Sequence, residues 1–309
     1  MELNSKFKLA SFNDYHNYDE DADKISAKGE KSYFKTIAGR FARNKVSVIS
    51  LLLFILLITA AILAPVIAPY PPNKTVGGFE AAPDKSFALG TDEVGRDVLS
   101  RLIYGARVSL IVSMGSVAIY VIIGTTLGLI SGYFGGLTDS VIMRITEVFM
   151  AYPYFMVILV LVSLIGPSIW TVTFVLGFLG WPPLCRLVRG QVLYIKTIDF
   201  ISAAKATGYS TWSILFKQIL PNVLSIILVN ATFGIANAIL TEASLSFLGM
   251  GVRPPAASWG NMLSNAQSLT VLSTQPWRWV PAGIVILISV LIVNFIGDGL
   301  RDAVEGETK

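Results

Sequence analysis

Few side chains in this 309-residue sequence are placed to do covalent or proton chemistry. Its one histidine, His16, lies in a polar stretch and its one cysteine, Cys185, in an apolar one, so a His/Cys metal cluster and an internal disulfide are excluded. An intramembrane enzyme needs a nucleophile with a base, or a metal set, and this pair supplies neither. Gly29-Glu30-Lys31-Ser32 looks like the tail of a nucleotide-binding loop but lacks the Gly-Lys step and the preceding strand. Any ATP is therefore expected to be hydrolysed by another chain. Arg144, Glu147 and Glu242 remain as ionisable groups within apolar stretches. Arg144 and Glu147 stand three apart and can pair on one helix face. An unpaired arginine at mid-bilayer costs about 2.5 to 3.5 kcal/mol on insertion scales, so a structural ion pair is the favoured reading over a substrate site. Ion-coupled transport would put such groups near the midplane, and these three lie toward the ends of their segments.

Uncharged residues carry the rest of the pattern. Asn230, Gly234, Asn237 and Thr241 are spaced four, three and four, which puts them on one helix face. Polar side chains inside a span face the bundle interior or water, so that face lines a translocation path or bonds to a neighbouring helix. Gly124, Gly128 and Gly132 form a double GxxxG that permits close helix contact, on the face that also carries Ser109, Ser113, Ser116 and Tyr120. Between two apolar blocks, Ile195 to Pro221 is polar and reads as two short helices joined at Gly208. Ser210 or Thr211 can cap the second, and Leu220-Pro221 is expected to stop or reorient it. Phe200, Ile201, Trp212 and Leu215 can anchor a partner there, while Ala203, Ala204 and Ala206 let its surface come close.

The elements that must position these residues are membrane spans. The chain is 53% hydrophobic and 14% charged, with a mean hydropathy of +0.64. A soluble domain carries about 25% charged residues. An all-α protein with six transmembrane helices is predicted, both termini cytoplasmic. Residues 1–45 are a cytoplasmic tail, mobile over 1–30, with acidic Asp19 to Asp23 followed by basic Lys35, Arg40, Arg43 and Lys45. Residues 46–69 make the first span. Residues 70–106 form an external loop holding an interfacial amphipathic helix capped by Thr91 or Asp92. Further spans are read near 108–130, 137–165, 169–188, 222–247 and 280–296, with Trp181-Pro182-Pro183 able to kink the fourth. Residues 249–280 are external, with a surface or re-entrant helix over 258–263 and Trp277 and Trp279 at the interface, and 301–309 form a cytoplasmic tail. The concentration of Lys and Arg before residue 46 and in 186–217 sets this orientation.

Three segments resemble a known family. The polar stretch resembles the EAA loop of ABC importer permeases: Ser202-Ala203-Ala204, then Gly208, then Gln218-Ile219-Leu220-Pro221, with Ser202 and Gln218 departing from the pattern. Leu89-Gly90-Thr91-Asp92-Glu93-Val94-Gly95-Arg96-Asp97-Val98-Leu99-Ser100-Arg101 and Thr241-Glu242-Ala243-Ser244-Leu245-Ser246-Phe247-Leu248-Gly249 resemble the C-type permease of oligopeptide and dipeptide importers, an inner-membrane component of binding-protein-dependent transport systems. The resemblance implies a type I importer permease (MetI-like) fold, with the permease domain over residues 107–300 and the coupling loop at 195–221. It implies that Ser202, Ala203, Ala204, Lys205, Thr207, Gly208, Leu220 and Pro221 meet a cytoplasmic ATPase. Partner chains then bind ATP and magnesium, and this chain needs no cofactor of its own. The implied partners are a second homologous permease, two ATPases, an extracellular binding protein, a peptide and membrane lipid, with no nucleic acid, in the bacterial inner membrane. Nickel and metallophore importers use similar permeases, so the substrate stays open between them.

Overall fold

The computed structural model describes residues 35–306; the acidic run, His16 and the tail readings for residues 1–30 and 307–309 lie outside the described residues. Among the described residues helices dominate and no strand forms beyond one bridge between Thr91 and Asp97. A short helix over 35–43 (α1) leads to α2, Lys45–Ile62, where the Asn44 side chain accepts from the Ser47 amide at 3.2 Å. Eighteen residues at 1.5 Å each span about 27 Å, close to the ~30 Å hydrocarbon core. α2 is apolar nearly all round and buries only Ser47, Ser50 and Ala61. Such a helix faces lipid over most of its girth. α3, Ala64–Ile67, opens with Pro65 near its start.

The second span is longer than the sequence implied. α4 runs unbroken over Val98–Phe134, and its cap is Asp97, whose carboxylate accepts from the Ser100 amide at 2.8 Å. The expected amphipathic helix capped at Thr91 or Asp92 does not form as a separate element. Thr91 instead bridges Asp97 across a turn in which Gly95 takes φ +77°. α5, Gly136–Met150, and α6, Tyr154–Ile165, replace the single span expected over 137–165 and are bent by 80°. Pro153 caps α6 and pushes Tyr152 out of the helical region, which accounts for the break.

α7, Ile169–Ile195, continues through Pro182 and Pro183 and runs two turns beyond the expected end. α8, Asp199–Ala206, and the start of α9, Thr211–Phe247, make a hairpin around Gly208. Leu220-Pro221 does not stop α9. A π turn at Ile214–Ile219 precedes it, and its wider i→i+5 bonding absorbs the donor that Pro221 lacks. The short α10, Trp259–Leu263, and α11, Leu269–Thr274, precede the last span, α12, Val280–Glu305. Among the described residues five helices are long and apolar enough to span, and six spans result if the bent α5–α6 pair is one.

α4 packs most extensively on α7. A Cβ at Gly124 would stand 2.9 Å from the Trp181 carbonyl, one at Gly128 2.8 Å from the Cys185 carbonyl, and one at Gly132 2.7 Å from Val192 Cβ. Real side chains do not come that close, so the three glycines let the two backbones touch, as the GxxxG spacing implied. Cys185 is fully buried in this seam. The bundle has two unlike ends. Segments 70–97 and 248–279 cover one, called the capped end, and the α8–α9 hairpin projects from the other, the hairpin end.

Candidate functional site

The site has three parts along the bundle: a cavity, the hairpin below it and the cap above it. The cavity has a volume of about 380 Å³ and lies between α4, the α5–α6 bend, α7 and α9. Asn230, Gly234, Asn237 and Thr241 all line it, so the four-three-four spacing is one wall of a real concavity. Tyr120, Tyr152 and Tyr154 bring phenols to the other walls. The Tyr120 hydroxyl donates to the Asn230 carbonyl at 3.2 Å and occupies the space a side chain at Gly234 would need. Tyr154 donates to the Leu176 carbonyl at 3.2 Å. Among the lining residues none is Asp, Glu, Lys, Arg or His. The wall therefore offers amides, phenols, the hydroxyls of Ser116 and Thr241 and apolar surface, which suits neutral hydrogen bonding rather than ion capture. Tyr120 lies on the polar face of α4 noted in the sequence, whereas Tyr152 and Tyr154 were missed because they reach the cavity only through the 80° bend.

On the hairpin, Ile201, Ile214, Leu215 and Ile219 are buried in one cluster with Val188 and Val192 of α7, and Ala204 packs against it. Ile201 and Leu215 are thus internal and are not the anchors the sequence predicted. Phe200 and Trp212 are exposed as expected, and Phe216, which the sequence analysis passed over, stacks on Trp212 with ring centroids 5.9 Å apart. Ser202, Ala203, Lys205, Ala206, Thr207 and Gly208 form the exposed side. Gly208 has φ +85° and open space about it, so its requirement is backbone conformation alone. The cap of α9 is Ser210, which accepts from the Ser213 amide at 3.3 Å. Leu220 and Pro221 lie within α9, half-buried and away from the exposed face.

Above the hairpin the Asp139 carboxylate receives both Nε and Nη2 of Arg189, at 2.5 and 2.6 Å, and also the Ser131 hydroxyl. Lys196 donates to the carbonyls of Gly132 and Tyr133 at the end of α4. These bonds tie α4, α5 and α7 where they reach the hairpin. Arg144 and Glu147 pair at 2.8 Å with side chains 81% and 49% exposed, as their spacing implied.

At the capped end the charged residues of the 89–101 segment turn inward. Asp92 receives Arg96 Nε at 2.6 Å and Arg101 Nε at 3.3 Å, all three side chains being buried. Arg278, also buried, donates to Glu80 at 2.8 Å and to Glu93 at 2.6 Å. Glu80 takes φ +54° and is fixed by its own amide bond to the Asp92 carbonyl. Arg101 further donates to the Pro72 and Pro255 carbonyls. These bonds stitch the two outer segments into one lid. The charges expected on the polar face of an amphipathic helix are instead bonded inside this lid. Below the lid Glu242 is fully buried, accepting from Ser246 at 2.7 Å and Ser109 at 3.3 Å, and Ser109 accepts the Trp259 amide at 3.2 Å.

A multi-pass bundle with a bent third span, an uncharged cavity and a helical hairpin is the arrangement of a membrane permease. The chain belongs to the family described as binding-protein-dependent transport system inner membrane component, whose model matches residues 124–309; residues 32–83 match the N-terminal TM domain of oligopeptide transport permease C. The oligopeptide transport system permease protein OppC of Bacillus subtilis is 38% identical, the match covering 92% of this chain and 93% of that one. The dipeptide transport system permease protein DppC of Haemophilus influenzae is 38% identical over 87% of this chain and 93% of its own length. An inward-facing structure of the MetNI methionine ABC transporter aligns with a TM-score of 0.51 at 21% identity, covering 65% of this chain and 95% of that one, and shows the shared fold.

Proposed function

We propose that this chain is one of two permease subunits of an ATP-driven bacterial importer of oligopeptides or dipeptides. The carrying observation is that one 37-residue helix, Thr211–Phe247, holds both the exposed hairpin aromatics and the cavity wall of Asn230, Gly234, Asn237 and Thr241. A push on the hairpin is thereby a push on the wall. One of the two cytoplasmic ATPases, which bind the ATP and magnesium, docks on the Ser202–Gly208 side and on Trp212 and Phe216. The cavity is half of the translocation path, completed by the partner permease, and an extracellular binding protein delivers the peptide to the lid.

Charge supports the orientation, with both termini in the cytoplasm of a cell bounded by this inner membrane. Lys35, Arg40, Arg43, Lys45, Arg186, Arg189, Lys196, Lys205 and Lys217 all gather at the hairpin end. At the capped end Arg96, Arg101 and Arg278 are matched by Asp92, Glu93 and Glu80. Positive charge belongs on the cytoplasmic side. The lack of Asp, Glu, Lys, Arg and His among the lining residues favours a path that passes peptides by amide and phenol hydrogen bonding over an ion-coupled one. The test is uptake of a labelled peptide into vesicles holding the full complex. ATP-dependent uptake is expected. Uptake driven by a proton gradient without ATP overturns the energy source, and uptake of a nickel chelate but no peptide overturns the substrate.

A further inference from the structure

A second concavity, of about 410 Å³, lies on the outer side of the bundle between α2 and α4. Ile58, Ala61, Ile62, Leu110, Ile111, Met114 and Gly115 line it, and Arg107 stands at its mouth. Two independent marks place that mouth at the edge of the hydrocarbon. Arg107 is the last charged residue before the charge-free stretch from Val108 to Phe134. On α2, Ile62 lies about 26 Å along the helix from Lys45, the charged residue at its other end. That rise matches one hydrocarbon thickness. From the mouth the groove runs about 12 Å inward, the rise from Arg107 to Gly115.

Arg107 differs from the arginines near it. Arg96, Arg101 and Arg278 are buried and each meets a carboxylate. Arg107 is exposed, and no described residue pairs with it. An arginine at this depth needs an anion, and the anion that a bilayer supplies at its interface is a lipid phosphate. The groove beneath is apolar and short, about two helical turns. That fits the upper part of one acyl chain and falls well short of the length over which two spanning helices pack. We propose that this groove is a binding site for an anionic phospholipid, whose phosphate sits on Arg107 and whose acyl chain lies along Leu110, Ile111 and Met114.

Native mass spectrometry of the purified complex, titrated with phosphatidylglycerol, tests this. The wild type is expected to hold one lipid more tightly than the bulk adducts. Arg107→Gln should weaken that adduct about fivefold, the value of one basic residue at an anionic surface. Ile111→Trp, which fills the groove from an exposed position, should lower its occupancy to a similar degree. Arg144→Gln, which removes an exposed arginine elsewhere, should leave it unchanged. Equal retention in all three variants, or no tight adduct in the wild type, overturns the site. So does a disulfide between Met114→Cys and a cysteine on the partner permease, which would show a protein helix in the groove. None of these outcomes depends on what the transporter carries.

Discussion

The two ends of the bundle dispose of their side chains in opposite ways. At the capped end the charges are inside: Asp92, Arg96, Arg101 and Arg278 are buried and answer one another across segments up to 186 positions apart, Asp92 to Arg278 being linked through Glu93 and Arg96. At the hairpin end aromatic surface is outside: Trp212 is 60% and Phe216 54% exposed, on a base of fully buried isoleucines. A closed ionic lid is finished within the chain. An exposed aromatic pair on a rigid base is what the proposed ATPase dock would cover. One end satisfies its charges within the chain, and the other leaves aromatic surface open.

The sharpest way to break this contrast is Asp92→Ala. It leaves Arg96 and Arg101 buried without their shared carboxylate. Removing one partner of a buried pair costs about 3 to 5 kcal/mol, so a large fall in the unfolding temperature of the purified protein is expected. An unchanged melting curve would show that the lid is ornamental. Next in size is Gly128→Leu, which drives a side chain into the Cys185 carbonyl and Val188. Overpacking of this kind costs about 1 to 3 kcal/mol, and the same melting curve reads it.

Hairpin changes should behave differently, leaving the bundle folded and weakening its attachment. Gly208→Val puts a branched residue at φ +85°, at a cost of about 1 to 2 kcal/mol confined to the turn. Ala203→Trp enlarges the exposed side without touching the core, whereas Ala204 packs inward and is the poorer probe. For both Gly208→Val and Ala203→Trp, ATPase co-purification should fall while the melting temperature of the permease moves little. Full ATPase retention in both would remove the hairpin from the docking role. The smallest effect belongs to Arg144→Gln. Its pair with Glu147 is largely exposed, and such pairs contribute about 0 to 1 kcal/mol. A shift as large as that of Asp92→Ala would mean that the residue is buried in the assembled complex.

What could be read in advance follows from range. α2 and the glycine face of α4 were legible because their signals are local and periodic: an uncharged run in one, a residue every fourth position in the other. The cavity face of α9 was legible for the same reason. The lid was not, since nothing near Glu93 announces that Arg278 will bond to it. Asp139 and Arg189, 50 positions apart, hid one another in the same way. The cap of α4 was misplaced because Thr91, Asp92 and Asp97 are all good cap types, and only the turn at Gly95 decides among them. Proline misled at Pro221, where the usual stop signal is overridden by a change of helix type just before it.

That π turn has a further consequence. A π turn places one more residue in a turn than an α-helix does, so everything before Ile214 is out of phase with everything after Ile219 by one position, about 100° of rotation. The azimuth of Trp212 relative to Asn230 is therefore set by an insertion rather than by counting along an ideal helix. Deleting Gln218 would restore a regular screw and swing Trp212 a quarter-turn or more around the axis of the wall it is joined to, with both aromatic side chains and the whole cavity wall still present.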